Sequence, residues 1–330
     1  MNAAAGIAGA YSHCESVTRT QAANFFYGIR LLPGQRRRAM SAVYAFARRV
    51  DDIGDGTLER HEKLARLDGE ARALAAIALD GAGVGAGDGA APAGADPVML
   101  ALADAQRHFP LPVDALSELV EGVRMDVDAV AYESFEDLLV YCRRVAGGIG
   151  RLCLAIFGLR EHADADAEGA ERLAEELGVA LQLTNILRDL REDAENDRVY
   201  LPAEDLRRFG LIAAEHDAGQ AGAAHTLAAL ARRLDAAGAR PLESADELAR
   251  LAALVRFESE RAARWFDRGI VLAGMLDRRS AACVLAMAGI YRRLLARIDA
   301  HPEEAMRRRM SLPAHEKALV AARGMLGVGG

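Results

Sequence analysis

The order of apolar and polar residues along the chain predicts a succession of helices. Apolar positions recur at intervals of three and four residues, which places them on one face of an α-helix. Helices are predicted on this basis over residues 36–53, 59–79, 113–130, 134–157, 169–193, 223–240, 246–275 and 279–299. No repeat of fixed period connects them. The pattern therefore predicts an all-α fold, with a single helical domain closing around one central cavity.

The segments between and beyond these helices suggest the domain limits. Residues 1–10 are small and featureless and are predicted to be disordered, residues 11–310 to form the domain, and residues 311–330 to form a C-terminal tail. Residues 80–97 are rich in Gly, Ala and Pro and predict a flexible loop. Its glycines do not indicate a dinucleotide site, because no β-branched strand precedes them and no helix begins at the last one.

The composition agrees with a helical protein, and the net charge bears on the class of partner. Only 9 prolines and 5% aromatic residues occur among 330 residues, which favours helices over sandwiches or barrels. The net charge of −7 argues against a nucleic-acid partner. Because Lys63 and Lys317 are the only lysines, guanidinium groups carry most of the positive charge. These groups suit phosphate binding, although an arginine-rich genome also explains them.

The cysteines and the apolar segments predict the compartment. Four cysteines lie far apart without a CxxC pair, so neither a zinc site nor a disulfide framework is indicated. The N-terminus lacks the pattern of a signal peptide. Charged residues interrupt the apolar stretch 269–290, which argues against a spanning helix. A cytoplasmic location is expected, with peripheral contact to a membrane left open.

A first acidic stripe lies at the end of helix 36–53. At 100° per residue, Tyr44, Arg48, Asp51 and Asp55 share one face, and the two aspartates are one turn apart. Such like charges repel unless a cation lies between them, and Mg²⁺ prefers carboxylate, water and phosphate oxygens. A solvated helix end remains the alternative. An EF-hand fits poorly, since Ile53 occupies a position that needs an oxygen ligand.

A second polar stripe lies on helix 169–193. Gln182, Asn185, Asp189 and Asp193 fall within about 80° of one another on the helical projection, while the neighbouring faces are apolar. This pattern favours a buried helix whose oxygens face a cavity, although a buried polar network is an alternative. Two acidic helices across a pocket would hold several Mg²⁺ ions against a diphosphate and stabilise its departure.

A glycine-rich helix lies between the two stripes, in YCRRVAGGIG. Each of Gly147, Gly148 and Gly150 costs roughly 1 kcal/mol relative to alanine inside a helix, so close packing or space for a ligand is expected. Tyr141 opens this segment. Its ring could stabilise a carbocation and its hydroxyl could position a proton, and an ordinary packed tyrosine is the alternative.

Three motifs together, YAFARRVDDIGDG, YCRRVAGGIG and LQLTNILRDLREDAENDRVYLP, resemble the squalene and phytoene synthase family in order and spacing over about residues 15–310. The resemblance implies an isoprenoid-synthase helical bundle around a central cavity. The opening NFFYGIRLLPGQRRRAMSAVYAFARRVDDIGDG is more similar to bacterial presqualene diphosphate synthases of hopanoid biosynthesis than to carotenoid synthases. Phytoene, dehydrosqualene and squalene synthases of the same family are the alternatives.

The resemblance also implies roles for individual residues. Asp51 and Asp55 match the first aspartate-rich motif, and Asn185, Asp189 and Asp193 match the second, so these five are expected to bind Mg²⁺. The four aspartates and Tyr141 are the expected catalytic residues. Substrate-contacting positions are matched by Tyr44, Arg48, Gln182, Arg188 and Tyr291, with Arg308 as a further candidate for the diphosphate. Relatives often carry a His-Ser-Lys-Ser-Phe-like patch where this chain has QAANFFYG, so part of the diphosphate contact must come from elsewhere.

The reaction implied is the head-to-head joining of two farnesyl diphosphates to presqualene diphosphate, with several Mg²⁺ ions bridging the substrate diphosphate and no NADPH required. Enzymes of squalene and hopanoid synthesis are the expected downstream partners. A head-to-tail elongase would need a second D-D-x-x-D motif, whereas this chain has N-x-x-x-D-x-x-x-D. A di-metal carboxylate bundle would need Glu-x-x-His, which is absent. A non-catalytic binding or assembly protein on the same fold remains an alternative.

Overall fold

The computed structural model describes residues 3–81, 96–160, 166–212, 227–229 and 245–325. These residues form helices and no strand, apart from one isolated bridge between Leu159 and Leu276. The all-α prediction is thus confirmed. Nothing in the described part of the chain is a helix both long enough and apolar enough to cross a membrane.

In the described part of the chain before residue 212 the structure has ten α-helices. Their bounds are α1 Ala3–Gln21, α2 Phe25–Ile29, α3 Gly34–Asp55, α4 Arg60–Gly81, α5 Pro97–His108, α6 Val113–Val127, α7 Phe135–Cys142, α8 Gly148–Phe157, α9 Ala167–Glu195 and α10 Ala203–Arg208. A π-helical segment, Arg143–Gly147, joins α7 to α8 without a break. Farther on lie α11 Ala245–Gly269, α12 Arg278–Ala300 and α13 Ala314–Met325, with 3₁₀ turns Ile270–Met275 and Pro302–Met306 before and after α12.

Most predicted helices lie within a few residues of those observed. The prediction for 134–157 covers α7, the π segment and α8, and that for 246–275 covers α11 and the following 3₁₀ turn. The predicted helix 223–240 lies outside the described residues except at 227–229, which are helical. The predicted loop 80–97 also lies largely outside them. At its end Asp96 caps α5, because its Oδ1 accepts the Val98 amide at 2.8 Å.

The structure corrects the predictions for both termini. Residues 3–10 belong to α1, where Tyr11 and Cys14 are buried and the Tyr11 hydroxyl donates to Asp104 at 2.9 Å. The segment expected to be a tail contains α13, which packs against α12 through the buried Val320. Small alanines and glycines carry little periodic signal, and these segments become ordered by packing against the domain.

Two glycines allow α9 to pack backbone to backbone against α8 and the π segment before it. A Cβ atom on Gly150 would lie 2.1 Å from the carbonyl oxygen of Ala174, and one on Gly178 would lie 2.2 Å from that of Ala146. No side chain fits at such distances, so the expected close packing is present. This contact fixes α9, which carries the second polar stripe, against the continuous run of α7, π segment and α8 that includes Tyr141.

Candidate active site

A cavity of about 450 Å³ lies between α3, α6, α8, α9 and α12. Its lining has two chemically different parts. Both polar stripes contribute one part, and the other consists of apolar side chains from the surrounding helices, including Val43, Leu119, Ile149, Leu181 and Met287. The cavity therefore combines a polar, acidic region with an apolar wall suited to a hydrocarbon chain.

The first acidic pair faces this cavity from the end of α3. Asp51 and Asp55 both line it, whereas Asp52 points aside and pairs with Arg48. The Asp51 side chain is accessible from the cavity but is surrounded by protein. Burial, and then the charge of Asp55, raises the pKa of Asp51 to about 7. A bound cation would relieve both effects.

The second stripe faces the same cavity from α9. Gln182, Asn185, Asp189 and Asp193 all line it, as their shared helical face predicts. The Asn185 Nδ2 atom donates to Gln182 Oε1 at 3.3 Å, while the Asn185 Oδ1 atom is buried without a hydrogen-bond partner. Burial, and then the charge of Asp189, raises the pKa of Asp193 to about 8. The stripe thus presents an unpaired oxygen and a poorly compensated carboxyl group.

Guanidinium groups hold the acidic residues in place. Arg188 donates from Nε to Asp189 Oδ1 at 2.8 Å, with a second bond from Nη2 to Oδ2. Arg309 reaches the same carboxylate, its Nε atom 2.9 Å from Oδ1. Arg198, in the loop after α9, lies 2.7 Å from Asp55. Asp189 is therefore already contacted by two cations that could equally bind phosphate oxygens.

A carboxylate bonded to two tyrosines lies beside the acidic region. Tyr141 donates to Asp126 Oδ2 at 3.0 Å, and Tyr200 donates to Oδ1 at 2.8 Å. The rings of Tyr141 and Tyr200 stack with centroids 5.1 Å apart, and Tyr132 packs on both. Burial raises the pKa of Asp126 to about 6. Asp126, Tyr141 and Tyr200 all line the cavity.

Aromatic residues near the N-terminus complete the wall. Phe25 packs between Tyr44 and Tyr291, with ring centroids 6.2 Å and 5.7 Å away respectively. Asn24 and Phe25 line the cavity, so the QAANFFYG segment forms part of its surface. The Arg48 Nε atom is buried without a hydrogen-bond partner, which leaves a donor available close to Asp51.

Comparisons with known proteins agree with this arrangement. The model of the squalene/phytoene synthase family matches residues 18–251. The chain belongs to this family. It is a prenyltransferase of the squalene/phytoene synthase type, whose members join prenyl diphosphates head to head.

Similar proteins cover nearly the whole chain. A phytoene synthase of Mycobacterium tuberculosis is 47% identical over 313 residues, which are 95% of this chain and 89% of that protein. Phytoene synthase 2 of Solanum lycopersicum is 30% identical over 310 residues, covering 94% and 88%. A dehydrosqualene synthase structure superimposes with a TM-score of 0.73 at 25% identity, covering 98% and 97%. The squalene synthase HpnC from Alicyclobacillus acidocaldarius gives 0.68 at 26%, covering 92% and 96%.

The residues of this squalene/phytoene synthase family member fit a magnesium site that the substrate completes. No three His, Cys, Asp or Glu side chains converge on one point among the described residues. Mg²⁺ binds commonly through one or two carboxylates together with water and substrate phosphates, so a preformed protein cage is not required. The unpartnered Asn185 oxygen and the raised pKa values of Asp51 and Asp193 mark groups that a bound cation would stabilise.

All but one of the residues predicted for the site line the cavity. The exception is Arg308, which is exposed and pairs with Glu304, its Nη2 atom 2.5 Å from Oε2. The neighbouring Arg309 points toward Asp189 instead. The reason is local geometry, because the segment after the 3₁₀ turn is irregular and its side chains do not follow a helical phase.

Among the charged and tyrosine side chains that line the cavity, four were not predicted from the sequence, namely Asp126, Arg198, Tyr200 and Arg309. Arg198 and Tyr200 stand within the motif that carries the family resemblance, in DRVYLP, and this was a signal that could have found them. Asp126 and Arg309 reach the cavity through tertiary packing. Asp126 shares the face of α6 on which Leu119 and Val123 line the cavity, so its helical phase was a further signal, whereas Arg309 lies in an irregular segment without periodicity.

Proposed function

We propose that the protein condenses two farnesyl diphosphates to presqualene diphosphate with release of diphosphate, a product that feeds squalene and hopanoid synthesis. The observation that carries this proposal is that both polar stripes line one cavity whose remaining wall is apolar. The stripes suit the diphosphate and its cations, and the apolar wall suits the isoprenoid chain.

The acidic stripes and the arginines would bind different parts of the magnesium diphosphate. Asp51, Asp55, Asn185, Asp189 and Asp193 would hold Mg²⁺ together with diphosphate oxygens. When bound, Mg²⁺ would stabilise negative charge on the departing diphosphate. Arg48, Arg188 and Arg309 would bind the same oxygens through charge-assisted hydrogen bonds, and Arg188 and Arg309 already contact Asp189 in this structure.

The proposed reaction breaks a carbon–oxygen bond and then forms the carbon–carbon bonds of the cyclopropane. The bond between C1 of one allylic substrate and its diphosphate oxygen breaks, and the electron pair leaves with diphosphate. The double bond of the second substrate attacks the resulting allylic cation, and loss of a proton closes the cyclopropane ring. Aromatic rings around the apolar region, among them Phe25, Tyr44 and Tyr291, would stabilise the positive charge. Water must be kept out, because it would capture the cation.

In a second candidate function the substrates are longer prenyl diphosphates. The phytoene synthases at 47% identity favour condensation of two geranylgeranyl diphosphates toward phytoene. The resemblance of the opening segment, and the dehydrosqualene and squalene synthase structures at 25% and 26% identity, favour the fifteen-carbon substrate. The two candidates share the ionisation and the ring closure and differ in the length of hydrocarbon that the cavity accepts.

The experiment is to incubate purified protein and Mg²⁺ with farnesyl or geranylgeranyl diphosphate, with and without NADPH, and to identify the products by mass spectrometry. Presqualene diphosphate formed without NADPH is the expected result. Exclusive use of geranylgeranyl diphosphate would establish the second candidate. Squalene formed only with NADPH would replace the proposed product, and binding of either substrate without any turnover would indicate a non-catalytic protein.

A further inference from the structure

The apolar end of the cavity is closed where α8 ends. The residues that line the cavity along α7, the π segment and α8 run from Tyr141, beside the acidic region, to Phe157, the last residue of α8. Phe157 is only 2% exposed although it lines the cavity, so its ring is packed against protein on its outer side. Met40 on α3 and Leu272 in the 3₁₀ turn before α12 also line the cavity. These three apolar side chains form what we call the far wall.

The far wall lies three to four helical turns from the acidic groups. On α9, Asp189 and Ala174 both line the cavity and stand about four turns, or roughly 22 Å, apart. On α3, Asp51 and Met40 both line it and stand about three turns apart. An extended isoprene unit, with four carbons along the chain, is about as long as one helical turn, whose pitch is about 5.4 Å. The fourth isoprene unit of a geranylgeranyl chain is therefore the part of a substrate that meets the far wall.

A polar clamp outside the cavity joins the helices that carry the far wall. Arg36, in the first turn of α3, donates from Nη1 to Ser280 Oγ at 3.0 Å and to the carboxylate of Asp277, which caps α12. A Cβ atom on Gly158, the residue after Phe157, would lie 4.0 Å from Nη2 of Arg36. Arg36 thus lies where the start of α3, the end of α8 and the start of α12 meet.

The backbone adds one contact between two of these segments. Leu159 and Leu276 form an isolated antiparallel bridge, directly after α8 and directly before α12. A single bridge restrains the end of α8 weakly, because it does not continue into a sheet. The position of the Phe157 ring therefore depends on the side-chain contacts of Arg36 as well as on the bridge.

We propose that Phe157 is the stop that sets the length of the prenyl chain, and that Arg36 is a positioning residue that holds this stop in place through Asp277. The proposal rests on the proposed head-to-head reaction and assigns the part of the cavity that selects its substrate. An apolar pocket discriminates by about 10-fold to 200-fold for one methylene group. A wall that meets a whole isoprene unit is thus sufficient to separate farnesyl from geranylgeranyl diphosphate.

The test is a competition between substrates of two lengths. Each protein receives Mg²⁺ and equal amounts of farnesyl and geranylgeranyl diphosphate, and mass spectrometry measures how much of each chain enters the cyclopropyl products. Phe157→Ala removes the stop, so the ratio of geranylgeranyl to farnesyl incorporated should rise at least tenfold. Cys153→Phe places a ring one turn nearer to the acidic groups and should lower this ratio at least tenfold. The first variant is decisive if the wild-type protein prefers farnesyl, and the second if it prefers geranylgeranyl.

The clamp is tested in the same competition. Arg36→Gln should raise the ratio about threefold, the effect of losing a partly exposed ion pair, and Arg36→Lys should restore it because the positive charge is kept. Arg37→Gln is the matched control, since Arg37 pairs with Glu15 and lies outside the cavity lining. Leu152→Ala is the control for Phe157→Ala, because Leu152 is fully buried on the same helix and does not line the cavity. Both controls should keep the wild-type ratio, and thermal unfolding checks every variant for loss of the fold.

The outcomes separate the possible failures. If folded Phe157→Ala and Cys153→Phe both keep the wild-type ratio, the stop lies elsewhere and the proposal is wrong. If Arg36→Gln changes the ratio no more than Arg37→Gln does, Arg36 does not position the stop. If the wild-type protein makes no cyclopropyl product from either substrate, the proposed function fails instead. Binding of the unreactive farnesyl and geranylgeranyl thiodiphosphates to the same variants then measures the length preference without turnover, and an unchanged preference would overturn the stop.

Discussion

The Nη1 atom of Arg198 lies 2.7 Å from Oδ1 of Asp55, and its Nη2 atom lies 3.1 Å from the carbonyl oxygen of Gly54. One guanidinium thus ties the end of α3, which carries the first acidic pair, to the loop that follows the second stripe on α9. The contact holds the two walls of the cavity at a defined distance. It also balances a carboxylate that stands one turn from Asp51.

Replacement of Arg198 by Gln should loosen this connection. The expected loss is about 1–2 kcal/mol in the free energy of unfolding, since the variant loses one partly exposed ion pair and one carbonyl hydrogen bond. Urea unfolding monitored by circular dichroism measures it. Arg60→Gln is the control, because Arg60 pairs with Asp128, is 66% exposed where Arg198 is 20% exposed, and joins no motif. Equal effects of the two substitutions would contradict the connecting role.

Asp189→Asn should reduce turnover at least 100-fold while the fold survives. The substitution keeps the shape of the side chain but removes the charge that the arginines contact and that the proposed Mg²⁺ would bind. The measurement is product formation at saturating substrate and Mg²⁺, with the thermal midpoint as a check on folding. Glu195→Gln on the same helix is the control, since Glu195 is exposed and pairs with Arg191. Retained activity would show that the second stripe is not the metal site.

Substitutions of the neighbouring residues Arg308 and Arg309 should differ sharply in their effect on the KM for the substrate. Arg309→Gln is expected to raise the KM for the prenyl diphosphate about tenfold, because Arg309 lines the cavity beside Asp189 and one charge-assisted hydrogen bond contributes about 1.5–3 kcal/mol. Arg308→Gln should leave KM within about twofold, since Arg308 is exposed and bound to Glu304. Steady-state kinetics decide between them. A reversed order would restore the assignment of Arg308 made from the sequence.

Gly178→Ala should destabilise the protein and disturb the site together. Its Cβ atom would lie 2.2 Å from the carbonyl oxygen of Ala146, so α9 must shift, at a cost of about 1–3 kcal/mol or more. Gly69→Ala, inside α4 with open space around the new methyl group, should instead stabilise by about 0.5–1 kcal/mol. Urea unfolding compares the two variants. The contact between α9 and the π segment is looser than described if both substitutions stabilise.

A buried acidic pair away from the cavity should make stability depend on pH. Glu258 and Asp205 both accept from Arg261 Nη1 at 2.7 Å, and burial, reinforced by the charge of Asp205, raises the pKa of Glu258 from 4.5 to about 8. Because the folded state favours the protonated form, this group's contribution is complete below about pH 4.5 and is lost as the pH rises through 8.

Glu258→Gln removes this titration and should therefore gain stability relative to the wild-type protein between pH 5 and pH 8.5. Thermal or urea unfolding across that interval measures the difference. The exposed Glu260 on the same helix supplies the matched control as Glu260→Gln. A difference between wild type and Glu258→Gln that stays constant with pH would show that Glu258 is ionised throughout.

The two acidic stripes could be predicted because their information is local. Asp51 and Asp55 stand four residues apart on one helix, as do Asp189 and Asp193, so helical geometry alone brings each pair to one face. The apolar periodicity also located most of the long helices. Helix α1 escaped prediction because its alanines and glycine show no clear apolar stripe, and its order depends on packing against α3 and α5.

The remaining parts of the site depend on tertiary structure. Asp126 and Tyr200 are 74 residues apart in sequence and Arg309 and Asp189 are 120 apart, so no local pattern relates them. The choice between Arg308 and Arg309 is a matter of one residue in an irregular segment, where periodicity carries no information. Long-range contacts of this kind follow from how the helices pack.

The π-helical segment Arg143–Gly147 determines which residues of α7 and α8 face the cavity. Every fourth residue from α7 to α8 lines the cavity, namely Tyr141, Val145, Ile149, Cys153 and Phe157. In an unbroken α-helix each such step would rotate the stripe by about 40°, and four steps by about 160°. The π turn contains one residue more than an α turn, and this extra residue offsets about 100° of the rotation. Removing a single residue from the segment would rotate Tyr141 by about 100° relative to Ile149, away from Asp126, with both acidic motifs of the sequence still intact.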